Sequence, residues 1–153
     1  MTRVALLVSS VGGIGHAPIA PGTAGSAAAL ALFALIRLAD SRALEVATIL
    51  ALLPVGIWSA GVAERVLGRS DPGQVVIDEV VGLLVTLTLI PVGVRGALAG
   101  FVLFRVFDII KPYPCARLEK LGGGVGIMAD DVMAGVYGNV FLRVLLWLAP
   151  SLA

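Results

Sequence analysis

The sequence predicts an all-α fold: a multi-pass helical membrane bundle of about five apolar helices joined by short loops rich in glycine and proline. Three observations carry that expectation. The chain is 59% hydrophobic and only 14% charged, whereas soluble domains average roughly 45–50% and about 25%. Its apolar residues fall into separate runs, each near the ~20 helical residues that cross a bilayer core. Glycine and proline gather between those runs, at residues 12–25, 68–73, 91–96 and 122–126. At 153 residues, the whole chain, 1–153, reads as a single domain.

The elements follow in order. The N-terminal stretch MTRVALLVSSVGGIGHAP joins a charge to a short apolar run and could pass for a signal peptide. Several apolar spans come after it, so it is read as part of the mature chain. The first span is expected from about Pro21 to Ala39, with Pro21 well suited to a first helical turn. The second covers about Ala43 to Ala63, and Pro54 predicts a kink. The third begins near Asp78 and ends before Pro91. The fourth covers about Arg95 to Ile110, after which Pro112 and Pro114 stop the helix. The fifth runs from about Asp131 to Ala149 and is interrupted by Arg143, whose role the sequence does not explain. The apolar runs Val4–Val8 and Val75–Ile77 are too short and isolated to build a sheet.

Charge orients the bundle. The net charge of +1 carries no nucleic-acid footprint. Five alternating spans put Arg3, Arg65, Arg69, Arg105, Lys111, Arg117 and Lys120 on one side, and Arg37, Arg42 and Arg95 on the other. Cytoplasmic loops carry the excess of Lys and Arg, so the first side is expected to face the cytoplasm. His16, the Asp78–Glu79 pair, Asp108 and the Asp130–Asp131 pair all fall on that same side.

Those acids are the candidate chemistry. A single acid at a helix start is explained by capping and by the helix dipole. Two acidic pairs and Asp108 converging on one face repel one another unless a cation holds them. A hard divalent ion such as Mg²⁺ takes carboxylates, water and substrate phosphate as ligands. In RVFDIIKP, residues three apart share a helix face, so Arg105, Asp108 and Lys111 form a polar stripe while Phe104, Phe107 and Ile110 can face apolar neighbours. The stripe reads either as two snorkelling cations with Asp108 as counter-ion or as a metal ligand between two phosphate-facing cations. Near Pro21, Thr23 and Ser26 could cap the helix or offer hydroxyls to a ligand, and His16 lies in the loop before it. A helix start attracts anions.

Other phosphatase chemistries lack their residues. The one cysteine, Cys115, excludes an internal disulfide and is not followed by the Cys-x5-Arg spacing; it reads as a packed thiol. A lone histidine excludes a His nucleophile assisted by a second His. There is no Asp-x-Asp motif, and the glycines at 122–126 lack the Lys-Ser/Thr of a P-loop.

Four blocks, PIAPGTAGS, VIDEVVG, FRVFDIIKPYP and GGGVGIMADDVMAG, in this order over residues 12–138, resemble the phosphatidylglycerophosphatase A family. The resemblance implies an all-helical, Mg²⁺-dependent enzyme of bacterial membranes. It would be a phosphoric monoester hydrolase converting phosphatidylglycerophosphate to phosphatidylglycerol and phosphate. The family motifs fall on Asp78, Glu79, Arg105, Asp108, Lys111, Asp130 and Asp131. On this reading the acids Asp78, Glu79, Asp108, Asp130 and Asp131 hold Mg²⁺ at the depth of the lipid head groups. Asp78, Asp108 and Asp131 with Arg105 and Lys111 are the expected catalytic set, and Arg105, Lys111, His16, Thr23 and Ser26 are expected at the phosphate or head group. Attack by water and an aspartyl-phosphate both remain open. The expected location is the bacterial cytoplasmic membrane, with a homo-oligomer allowed by the small residues Gly25, Gly56 and Gly61. The rivals are a Mg²⁺-dependent lipid head-group transferase and a non-enzymatic small cation transporter. The spaced aspartates of alcohol phosphotransferases are absent, and a carrier would place its acids near mid-bilayer.

Overall fold

The computed structural model describes residues 1–152, all in helices and short connections, with no strand among them. The helices are α1 (Thr2–Ser9), α2 (Pro21–Arg37), α3 (Arg42–Leu67), α4 (Ile77–Leu87), α5 (Val94–Ile110), α6 (Cys115–Leu118) and α7 (Gly123–Leu148). The expectation of an all-helical chain therefore holds, but five full-length spans do not emerge. Among the described residues, only α3 and α7, each of 26 residues, are long and apolar enough by length and composition to cross a membrane. At 1.5 Å per residue they reach about 39 Å, whereas α4 reaches only about 16 Å.

Burial explains why α4 stays short. It is the central helix, packed chiefly against α7 and α2 and buried along nearly all its length. Leu83 and Leu87 from α4 join Phe104 of α5 and Met128 and Leu142 of α7 as the largest fully buried side chains. The outer faces are apolar instead: Leu50, Leu98, Val102, Val140 and Val144 are all exposed. An apolar exterior of this extent fits a membrane protein rather than a chain surrounded by water.

Close helix contacts rest on glycine. A side chain at Gly135 on α7 would run into the Gly82 carbonyl on α4, and one at Gly124 would run into the Ile57 carbonyl on α3. The latter contact corrects the expected start of the last span. Gly123–Gly126 is not a loop but the first turn of α7, which begins two turns before Asp131. Glycine is a poor helix former, yet here its missing Cβ lets two backbones touch, and that packing overrides propensity. The helix α3 continues through Pro54, which lies on an exposed face. The N-terminal run that was too short for a strand forms α1 and packs on α3.

The far end of the bundle explains Arg143. The α4 helix stops at Leu87 among neighbouring helices, leaving its last carbonyls to be satisfied from outside. Asn139 Nδ2 donates to the carbonyls of Val85 (3.1 Å), Thr86 (3.0 Å) and Thr88 (3.0 Å). Arg143 Nε donates to Asn139 Oδ1 at 2.9 Å, and its Nη2 donates to the Leu89 carbonyl at 3.2 Å. The buried Glu45 completes the clamp, pairing with Arg37 at 3.2 Å and accepting from Leu89 N at 3.0 Å. Asn139→Ala strips these carbonyls of donors and is expected to cost about 2 kcal/mol, read as a lower melting temperature in detergent. An unchanged melting curve would count against this account of the α4 end.

Candidate active site

The first turn of α4 carries Asp78 and Glu79, but neither is its N-cap, which is Val76 and makes no side-chain cap hydrogen bond. Asp130 and Asp131 lie in the third turn of α7, beyond its open N–H groups. The capping explanation therefore fails for both acidic pairs. The crossing of α4 and α7 at Gly82 and Gly135 brings Asp131 against the start of α4 instead. A side chain at Gly82 would stand 2.8 Å from the Asp131 carbonyl.

Carboxylate oxygens of Asp78, Glu79 and Asp131 lie within 4.8 Å of one another. Bonds of 2.0–2.1 Å to Mg²⁺ put opposed ligands about 4.2 Å apart, so a contraction of a few tenths of an ångström would close the trio on one ion. Asp78 is 6% exposed and Asp131 4% exposed. Asp78 Oδ1, Glu79 Oε2 and Asp131 Oδ2 are buried without a hydrogen-bond partner. Unpartnered buried oxygens are costly, and a divalent cation is the ligand that would satisfy all of them together. The residues present thus fit a hard metal ion.

The two cations are not symmetric about this trio. Arg105 Nη1 lies 2.8 Å from Asp108 Oδ2 and 4.0 Å from Glu79 Oε1. Arg105 Nε and Nη1 are buried, yet neither is aligned for a hydrogen bond with a protein acceptor. Lys111 leaves the expected stripe. It takes a left-handed backbone, φ 46°, at the end of α5. Its Nζ then reaches Asp130 Oδ2 at 2.8 Å and Glu119 Oε2 at 3.2 Å. Partial burial would lower the Lys111 pKa, but the bonds to Asp130 and Glu119 outweigh it and raise the ammonium above its ordinary range. Oδ2 of Asp130 is thereby held by Lys111, so that Asp130 is not one of the clustered three, and Asp108 is held by Arg105.

Residues 16 to 26 meet the site less uniformly. His16 and Thr23 are exposed. Ser26 is fully buried and donates its hydroxyl to the Gly22 carbonyl at 3.0 Å. The residue that touches the cluster is Gly22, where a Cβ would collide with Glu79 Oε1 and sit 3.1 Å from Arg105 Nη1. Sequence reasoning passed over Gly22 and Glu119; a glycine inside an expected helix start was the available signal. Phe107 stacks on Tyr137 with centroids 5.5 Å apart, steadying the α5–α7 contact next to Asp108. Ile110, expected among apolar neighbours, is exposed. Cys115 is fully buried, and burial pushes its thiol pKa up, as suits a packed rather than a reactive sulfur.

The family model described as phosphatidylglycerophosphatase A matches residues 7–146. A Bacteroides thetaiotaomicron protein named as a candidate phosphatidylinositol-3-phosphatase is 38% identical over 149 residues, covering 93% of each chain. Phosphatidylglycerophosphatase A of Escherichia coli K12 is 35% identical over 81% of this chain and 73% of its own length. The Haemophilus influenzae protein of the same name is 46% identical over 48% of this chain and 47% of its own. No solved structure matches. The matched span contains the acidic trio, both cations and Gly22: the chain belongs to the phosphatidylglycerophosphatase A family.

Proposed function

We propose that the chain hydrolyses the phosphate monoester of phosphatidylglycerophosphate, releasing phosphatidylglycerol and inorganic phosphate, at the cytoplasmic face of the bacterial inner membrane. The observation that carries the reading is the trio of buried, unpartnered carboxylates beside Arg105. Asp78, Glu79 and Asp131 would hold Mg²⁺. When bound, the ion supplies Lewis-acid polarisation of the phosphoryl oxygens.

The remaining steps belong to the side chains. Arg105, partly buried beside Asp108 and Glu79, turns its unbonded Nε and Nη1 groups to the phosphoryl oxygens and balances the charge that grows on them. The oxygen of water attacks phosphorus as the bond to the glycerol oxygen breaks. Asp130 takes the proton from that water on Oδ1, which is buried and unbonded while Oδ2 holds Lys111. The departing glycerol oxygen takes a proton from solvent water, and Asp130 returns its own to solvent, which restores the carboxylate. The gathering of the acids at one end of the bundle argues against a carrier, which needs acids along its path.

The Bacteroides relative motivates a second reading, with phosphatidylinositol 3-phosphate as substrate. Purified protein assayed for phosphate release from both lipids separates the two. Phosphatidylglycerophosphate is expected to be turned over, EDTA to abolish the release and excess Mg²⁺ to restore it. Full activity in EDTA would defeat the metal assignment, and no release from phosphatidylglycerophosphate would defeat the substrate.

A further inference from the structure

A lipid of this class carries a second anion. The phosphate monoester is removed, and the phosphodiester joining the head group to diacylglycerol is kept. In the described residues, the ion pairs of Arg105 and Lys111 are with carboxylates of the site itself. The retained diester therefore needs another cation within reach.

At the start of α2 lies an open cleft of about 390 Å³, lined by Gly15, His16, Pro18, Pro21, Arg69 and Gln74. The two loops that form it are clamped together. Gly15 sits so close to the Gln74 carbonyl that a Cβ would collide with it, and Val76 N donates to the Ser9 carbonyl at 2.9 Å. Two of its lining residues are joined to the site through the chain. Pro21 precedes Gly22, which backs onto Glu79 and Arg105, and Gln74 lies four residues before Asp78. Arg69 is exposed and has no ion-pair partner among the described residues. Exposed apolar side chains flank the lining residues in the chain: Ile19 at 84%, Leu67 at 39% and Ile14 at 37%. Apolar residues beside a cationic cleft mark the depth where lipid phosphates meet acyl chains.

We infer that this cleft binds the phosphodiester the lipid keeps, with Arg69 as its cation and His16 as a further donor. The inference rests on the phosphatase reading and deepens it, because it makes Arg69 a determinant of substrate class. A guanidinium meets two phosphate oxygens at once. A lipid whose only phosphate is the monoester, such as phosphatidic acid, places nothing there.

Short-chain dihexanoylphosphatidylglycerol, which has the diester and no monoester, is titrated into the detergent-solubilised full chain by calorimetry. Arg69→Ala is expected to weaken its binding about tenfold, with dihexanoylglycerol as the control for chain contacts. In turnover, Arg69→Ala is expected to raise KM for phosphatidylglycerophosphate by a similar factor, leave kcat within about twofold, and leave KM for phosphatidic acid unmoved. Equal affinity of wild type and Arg69→Ala for the diester lipid, including no binding by either, overturns the inference. Arg69-dependent binding without phosphate release by the wild type sinks the phosphatase reading and leaves the cleft assignment standing.

Discussion

Asp131→Asn is expected to cut phosphate release by about a hundredfold to a thousandfold, and Asp78→Asn to do the same. Both changes keep the side-chain shape and remove one charged ligand from the trio. Neither is expected to unfold the chain, because each relieves repulsion among buried carboxylates. Melting curves make the argument specific. Mg²⁺ binds only the folded trio and should raise the melting temperature of the wild type in proportion to its saturation. That rise is expected to vanish in both variants. Turnover at the wild-type rate in both would end the proposal that these acids share an ion. A lost rate with the Mg²⁺ stabilisation intact would move them from ligands to proton transfer.

The second large effect lies away from the acids. Gly135→Val is expected to lower the melting temperature in detergent by roughly ten degrees or more and to abolish activity. The neighbour that a Cβ meets here is the Gly82 carbonyl, part of a buried helix backbone that cannot swing aside. Relief requires α4 and α7 to separate, and that separation pulls Asp78 and Glu79 away from Asp131. Stability and chemistry thus depend on one crossing point. Near-native melting and activity in Gly135→Val would show that the two helices tolerate a wider gap and that the trio does not depend on their contact.

The helical class and the acidic residues were legible in the sequence, because each is a local property, whereas of the five expected spans only α3 and α7 are long and apolar enough to cross a membrane among the described residues. Hydropathy over a window of residues marks a helix suited to lipid. A pair of carboxylates stands out from an apolar background wherever it ends up in space. Residues 21 to 37 and 94 to 110 were bounded to within about two residues, since proline, glycine and charge punctuate them. The start of α7 was not legible, because a run of glycines signals a loop until a second backbone is pressed against it. Nor was the task of Arg143, whose partners are Asn139 and the Leu89 carbonyl, two residues past the end of α4 and 54 residues earlier in the chain.

By itself the sequence determined what this protein is made of: apolar helices, one end rich in acid and base, and the family blocks that carry both. Only the tertiary structure decided how the charges divide. It gathered Asp78 and Glu79 with Asp131, gave Asp108 to Arg105, and turned Lys111 away to Asp130 and Glu119. The physical reason is that a carboxylate's partner is set by distances of a few ångströms. Those distances follow from where two helices cross and which way one residue's backbone turns.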